Sequence, residues 1–275
     1  MDRKKIILLI IFFTGLVTML YPTICQYWNS KVQSRAIDDY KEMIPNIATS
    51  DYNNMFTEAN DYNQKLFTLE FPLIQYPKVP NYKELININN KGMIGYITID
   101  KLKVELPIYH GTSSSILNIA VGHLQGSSLP IGGPNTHSVL SAHRGLPSAQ
   151  LFTNLDKLEI GDTFIITILN KNLTYQVDKI SIVEPTDVST LAIIEGKDYV
   201  TLMTCTPYGL NTHRLLVRGT RIANEDNKEI LITSDAYQIN KLTIALIISL
   251  LILFILIIYV LIKPIKRKAY KEGKL

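Results

Sequence analysis

The run from Leu242 to Ile262 is almost purely Leu, Ile and Val, and it dictates where the remainder of the chain folds. A bilayer core needs roughly 20 apolar residues in helix to cross it, so this run reads as a transmembrane helix. A second apolar run, Ile6 to Leu20, fades out through Tyr21, Cys25, Tyr27 and Trp28, a tail of aromatic residues suited to a membrane interface. Arg3, Lys4 and Lys5 precede the first run, and Lys263, Lys266, Arg267, Lys268, Lys271 and Lys274 follow the second. The positive-inside rule places both termini in the cytoplasm, which two spans require, and everything between them outside the cell. A cleaved signal peptide is the alternative for the first run, but no clear small-residue cleavage site follows it.

The formal net charge of +4 is uneven: the first five residues contribute +2 and residues 263 to 275 contribute +5, which leaves −3 for the exported part. A slightly acidic domain carries no electrostatic footprint for nucleic acid, and the basic ends fit anionic lipid. An exported protein normally pairs its thiols. Here Cys25 lies at the membrane border and Cys205 far from it, so the sequence leaves open a bridge between them or an unpaired, reactive thiol.

Residues 1–28 are the expected anchor. From 29 to 68, apolar residues recur at helical spacing (Val32, Ile37, Tyr40, Met43, then Tyr52, Met55, Ala59, Tyr62, Leu66), which predicts two amphipathic helices broken near Pro45 and Asn46, a stalk or packing segment. The stretch 69–90 opens with three prolines in LEFPLIQYPKVPNY, too many for regular helix or central strand and with too many apolar residues for a plain linker. From 91 to 224 the character changes to short β-branched runs between turn residues. Strands are expected at 93–99, 104–109, 138–142, 163–169, 173–183, 199–204 and 214–222, with short helices at 114–119, capped by Ser113, and around 149–155. This density of strands predicts one mainly β domain, a barrel or a sandwich. A linker at 225–241, the span 242–262 and a basic tail at 263–275 complete the chain.

The chemistry concentrates in TLMTCTPYGLNTHRLLVRG, residues 201–219: an apolar run ending in Cys205, a turn, and a second apolar run opening with Arg214. If the two runs pair as antiparallel strands, thiol and guanidinium lie side by side at one sheet edge. A lone cysteine is most often a small buried hydrophobe, so the thiol needs partners to count as a site. Of five histidines, His143 is the best candidate, because it closes the strand-like run HSVLSAH and meets a loop start. His137 shares its parity but fits a hydrogen-bonded core residue; His213 adjoins Arg214 and points the other way on a strand; His110 and His123 fall in apparent turns. Zinc-protease and Cys-x-x-Cys spacings are absent, so neither a metal nor a cofactor is expected.

SAHRGLPSAQLF and TCTPYGLNTHRLLVRG closely resemble the sortases, and specifically class C, the pilin-polymerising transpeptidases. GYITIDKLKVELPIYHG, VGHLQGSSLPIGG and LDKLEIGD resemble further family segments, as does the two-span layout. The resemblance implies an eight-stranded β-barrel on a Gram-positive cell membrane and a catalytic set falling on His143, Cys205 and Arg214. It also implies pilin or surface-protein substrates with an LPXTG-like signal, a thioester on Cys205, and a lysine of another pilin subunit as acceptor. A sortase that transfers surface proteins to a peptidoglycan amine is the alternative, and a non-catalytic adhesin with a merely buried Cys205 is a third. Class C members carry an N-terminal lid with Asp-Pro-aromatic. This chain has Glu70, Phe71 and Pro72 there instead, with Tyr76 and Pro77 as a second option, which leaves two readings open: a lid in which Glu70 pairs with Arg214 and Phe71 covers Cys205, or a loop packed elsewhere on the barrel.

Overall fold

The computed structural model describes residues 3–88 and 91–224, together with Leu250 and Leu253. The linker and basic tail, and the second span apart from those two leucines, lie outside the described residues.

Helix α1 (Arg3–Met43) runs without interruption from the apolar N-terminal stretch into the amphipathic one. It is long and apolar enough to cross a membrane. Its C-terminal half carries a stripe at i, i+3 and i, i+4 spacing that faces the β domain. Asn29 Nδ2 donates to Ser148 O (2.9 Å), Gln33 Nε2 to Ile119 O (2.7 Å), and Ile37 and Tyr40 are fully buried. The Tyr40 hydroxyl donates to Ile94 O at 3.0 Å and accepts from Leu169 N at 2.8 Å, so a single phenol satisfies two backbone groups in the apolar seam. The expected break falls at the 3-10 turn Ile44–Asn46, where Pro45 cannot continue the ladder. Helix α2 (Thr49–Phe67) then buries Tyr52, Ala59, Tyr62, Asn63 and Leu66 along one face. Each such apolar side chain contributes about 1.5–3 kcal/mol on burial, so both helices are packed parts of the domain. Asn63 closes a two-way bond with Leu129, donating to its O (3.0 Å) and accepting from its N (2.7 Å). A short helix, α3 (Pro72–Gln75), follows.

Eight strands form a closed barrel: β1 (Met93–Ile99), β2 (Val104–His110), β3 (Val121–His123), β4 (Thr136–Ser141), β5 (Thr163–Ile168), β6 (Lys171–Val183), β7 (Asp198–Thr206) and β8 (His213–Arg221). The order around the barrel is β1-β2-β3-β4-β7-β8-β6-β5, with β2·β3 and β4·β7 parallel and the other pairs antiparallel. Closure removes every sheet edge. The interior is filled by alternate residues, among them Ile97, Ile99, Ile108, Leu140, Ile166, Val200, Leu202 and Val217. Phe164 and Tyr175 stack at 5.7 Å, and a Cβ at Gly219 would stand 2.7 Å from the Phe164 ring, so this strand position admits no side chain. The seven expected strands are present to within a few residues at each end. The eighth, β3, is three residues of Val-Gly-His, too short to show a period. The short helix expected at 114–119 is α4 (Ser114–Leu117). The helix expected near 149–155 is instead a series of turns ending in a 3-10 turn at Leu155–Lys157, held by bonds such as Phe152 N to His143 O (3.2 Å).

Two histidines are buried linkers: His137, as expected of a hydrogen-bonded core residue, and His123, expected instead in a turn. His123 sits in β3 with no exposure; its Nε2–H donates to Ser128 O (2.8 Å) and its Nδ1 accepts from the Tyr82 hydroxyl (2.8 Å). His137 in β4 donates from Nδ1 to Ala192 O (2.9 Å) and accepts at Nε2 from Thr201 Oγ1 (2.7 Å). Burial holds both neutral, pushing His123 down to about 3 and His137 down to about 4. In the unfolded chain an imidazole takes up its proton near ~6.5. Below that pH the unfolded state therefore binds more protons, and stability falls as pH falls until the folded values are reached. Each group removes about 1.4 kcal/mol per pH unit in that window. The urea midpoint of the barrel, followed by circular dichroism, is expected to drop steeply from pH 7 to pH 5 and less steeply in His137→Asn. A midpoint independent of pH over this range would overturn the assignment of neutral buried imidazoles.

Candidate active site

Strand β7 lies between a parallel and an antiparallel neighbour, and this arrangement gathers the polar groups. Its alternation sends Val200, Leu202 and Thr204 into the barrel and leaves Thr201, Met203 and Cys205 on the outer face. On the β8 side Cys205 is directly opposite Arg214. On the β4 side the parallel register ends with Ser141 opposite Met203. The chains stay together beyond it, since Ala142 N donates to Met203 O (3.2 Å) and Thr204 Oγ1 to Ala142 O (2.8 Å). Continuing that register by two residues brings His143 level with Cys205. The three residues chosen from sequence thus meet at one end of three adjacent strands, all half-buried. Arg214 Nη1 donates to His213 O (3.1 Å) and Asn211 O (3.3 Å), which turns the guanidinium back over the β7–β8 connection. Both cysteines are free, so no bridge joins Cys25 to Cys205.

Sequence reasoning passed over Arg144. Its side chain is only 9% exposed, pairs with Asp156 Oδ2 at 2.6 Å and donates from Nη1 to Thr206 Oγ1 at 3.2 Å. It therefore ties the residue after His143 to the residue after Cys205 and sets the separation of the two strand ends. The motif HRG held the signal, but an Arg beside a candidate His looks redundant until Thr206 is seen within its reach.

The outer face below Cys205 is an apolar floor made by Val139, Leu191 and Leu216, with Met203, Val183 and Leu124 around it. Leu191 arrives on the β6–β7 connection, and the His137 bond to Ala192 pins that connection next to it. Leu73 of α3 packs against the same floor. Gly126, at φ +96°, lets α3 approach: a Cβ there would meet Leu73 Cα and Tyr76 Cδ1 at 3.0 Å. The proline-rich segment thus lies on the outer face, though not as expected. Glu70 is exposed, Phe71 is 55% exposed, and among the described residues no ion pair joins Glu70 to Arg214. Tyr76 is half-buried against the main core. With Asp-Pro-aromatic missing, the side chain on the floor is an aliphatic one two residues further on.

Among the described residues, no group of three or more His, Cys, Asp or Glu side chains converges to hold a metal ion. His110 and His123 both lie near Tyr82, whereas His137 and His143 are on other elements.

A closed eight-stranded barrel with a thiol at the end of β7, flanked by a histidine-bearing and an arginine-bearing neighbour, defines a known class, and residues 97–222 match the Sortase domain family. The chain belongs to the sortase family. It is similar to sortase C1 from Streptococcus agalactiae, at 47% identity over 70% of this chain and 100% of that one, with a TM-score of 0.64. It is also similar to Clostridium perfringens sortase C determined with the C-terminal cell wall sorting motif, at 45% identity over 70% of this chain and 100% of that one, with a TM-score of 0.61. Bacillus subtilis sortase D is 32% identical over 131 residues, covering 46% of this chain and 63% of that protein. The chain spans between about half and two-thirds of the length of the first curated relatives it matches.

The packing of Leu73 gives a direct test. In a Cys25→Ser background, where Cys205 is the sole thiol, Leu73→Ser is expected to raise the alkylation rate of Cys205 several-fold, while Phe71→Ala changes it little. Equal rates for Leu73→Ser and its parent would show that α3 does not screen the thiol.

Proposed function

We propose that the protein is a membrane-anchored cysteine transpeptidase of the class C sortase type, with Cys205 as nucleophile, His143 as general acid and Arg214 as the group that holds the substrate carbonyl. The observation that supports this reading is that Arg214 stands opposite Cys205 on β8 and that the β4–β7 register, continued two residues past Ser141, brings His143 level with it. Cys205 Sγ attacks the carbonyl carbon of the Thr in an LPXTG-like signal. The C–N bond to the following residue breaks, and the departing amine takes its proton from His143. Arg214 stabilises the negative charge that develops on the carbonyl oxygen. The resulting thioester keeps the acyl group activated, so a lysine amine of another pilin subunit forms an isopeptide bond and releases the thiolate without ATP.

The floor of Val139, Leu191 and Leu216 suits an apolar residue of the signal, and Leu73 occupies that floor before substrate arrives. This supports a lid role for the segment around α3, with Leu73 in the place expected of Phe71. Helix α1 supports anchoring at the membrane, and the apolar run 242–262 adds a second span with both termini in the cytoplasm and the barrel outside.

Acylation is expected to depend on pH as a bell, because Cys205 must lose its proton while His143 keeps one. A rate unchanged from pH ~6 to pH ~9 would remove His143 from the acid role. Incubation with a sorting-signal peptide should yield an acyl-enzyme detectable by mass spectrometry on Cys205. Cys205→Ala should abolish both adduct and cleavage, and persistent cleavage in that variant would refute the reaction.

A further inference from the structure

A short series of contacts connects the apolar run of α1 to the Cys205 end of the barrel. The run closes with Tyr27 and Trp28, 54% and 67% exposed, and the next residue, Asn29, is bonded to Ser148 O. Ser148 lies in the loop that follows His143. In that loop a Cβ at Gly145 would stand 2.7 Å from the Tyr208 ring, and the Arg144 guanidinium is 6.0 Å from the ring centroid. Tyr208 belongs to the β7–β8 connection, close after Cys205. Beyond Asn29, α1 leads away from its apolar run: Tyr40, about 16 Å further along the helix axis, reaches Ile94 and Leu169 at β1 and the β5–β6 turn. The barrel thus lies along α1 with its Cys205 end nearest the apolar run.

At that end the β7–β8 connection projects Tyr208 and Leu210, 63% and 74% exposed. A single exposed Leu is ordinary. Here, however, it shares a loop tip with a Tyr, and neither residues 143–150 nor residues 206–213 include an acidic side chain. An aromatic and an aliphatic side chain exposed together on an acid-free loop are the kind that settle at the headgroup level of a bilayer.

We propose that the Tyr208–Leu210 tip contacts the lipid headgroup layer, which places Cys205 at the membrane surface. The lipid contact rests on α1 crossing the membrane, as proposed above, and not on the identity of the reaction. The full chain with Cys25→Ser and Cys205→Ala, spin-labelled at Leu210→Cys and reconstituted into phosphatidylglycerol–phosphatidylethanolamine vesicles, tests it. Collision rates with oxygen, which concentrates in lipid, and with a water-soluble nickel chelate are compared with labels at Val17→Cys in α1 and Asn170→Cys at the β5–β6 turn. The oxygen-to-nickel ratio at position 210 is expected to be several-fold above that at 170 and below that at 17. A ratio at 210 equal to that at 170, with a lipid-like value at 17, overturns the contact while leaving the anchor intact. A water-like value at 17 removes the anchor and the contact together, and protection at 210 that develops only on adding a soluble sorting-signal protein assigns the tip to a protein partner.

Discussion

The register of β7 between its two neighbours is the constraint on which everything else depends. A parallel partner brings two strands' C-terminal ends to the same edge, and an antiparallel partner brings a strand's beginning there, so β4, β7 and β8 deliver His143, Cys205 and Arg214 to one place. A slip of one residue would turn each side chain to the opposite face. The slip is resisted from inside the barrel, where Val200, Leu202 and Thr204 pack among fully buried neighbours, and at the edge by the Thr204 bond to Ala142. The geometry of the candidate site is therefore a product of core packing more than of bonds among the three residues themselves.

Much of this was legible beforehand because period-2 runs of Ile, Val and Thr bounded by Gly, Asn and Pro have few other uses. The pairing of Cys205 with Arg214 followed from two such runs joined by a short turn. Where a signal was short or depended on distant partners, the sequence was mute. Strand β3 has three residues and is recognisable only by its pairing with β2 and β4. Arg144 acquires a role only when Thr206 comes within reach. The apolar residues at 149–155 suggested a helix, yet His143 O takes the Phe152 amide and bends the segment into turns. The cover was sought at Phe71 because it stands where class C members carry the aromatic of Asp-Pro-aromatic, but the α3 turn leaves Phe71 in solvent and sends Leu73 inward, a choice of helix face that composition does not reveal.

The N-terminal helices are attached by buried polar groups as much as by apolar area. Tyr40 serves two strand-end backbone groups, and Asn63 closes a reciprocal pair with Leu129. An orphaned donor or acceptor in such a seam costs about 1–3 kcal/mol, so these side chains fix one docking position where apolar contacts alone would tolerate several. The same logic explains His137, which holds the β6–β7 connection against the outer face beside the floor.

The ties at Asn63 and Tyr82 have a kinetic meaning. Asn63 joins the chain to the β3–β4 connection before α3, and Tyr82 rejoins the barrel at His123 and Gly111 after it. The segment bearing Leu73 is thus fastened at both ends, so Leu73 stays beside the floor at a high effective concentration. A peptide diffusing in bulk solution competes poorly against such a neighbour. A protein already confined beside the enzyme is concentrated in the same way, so under the proposed lid role a doubly fastened segment would filter substrates by how they are delivered as well as by their sequence.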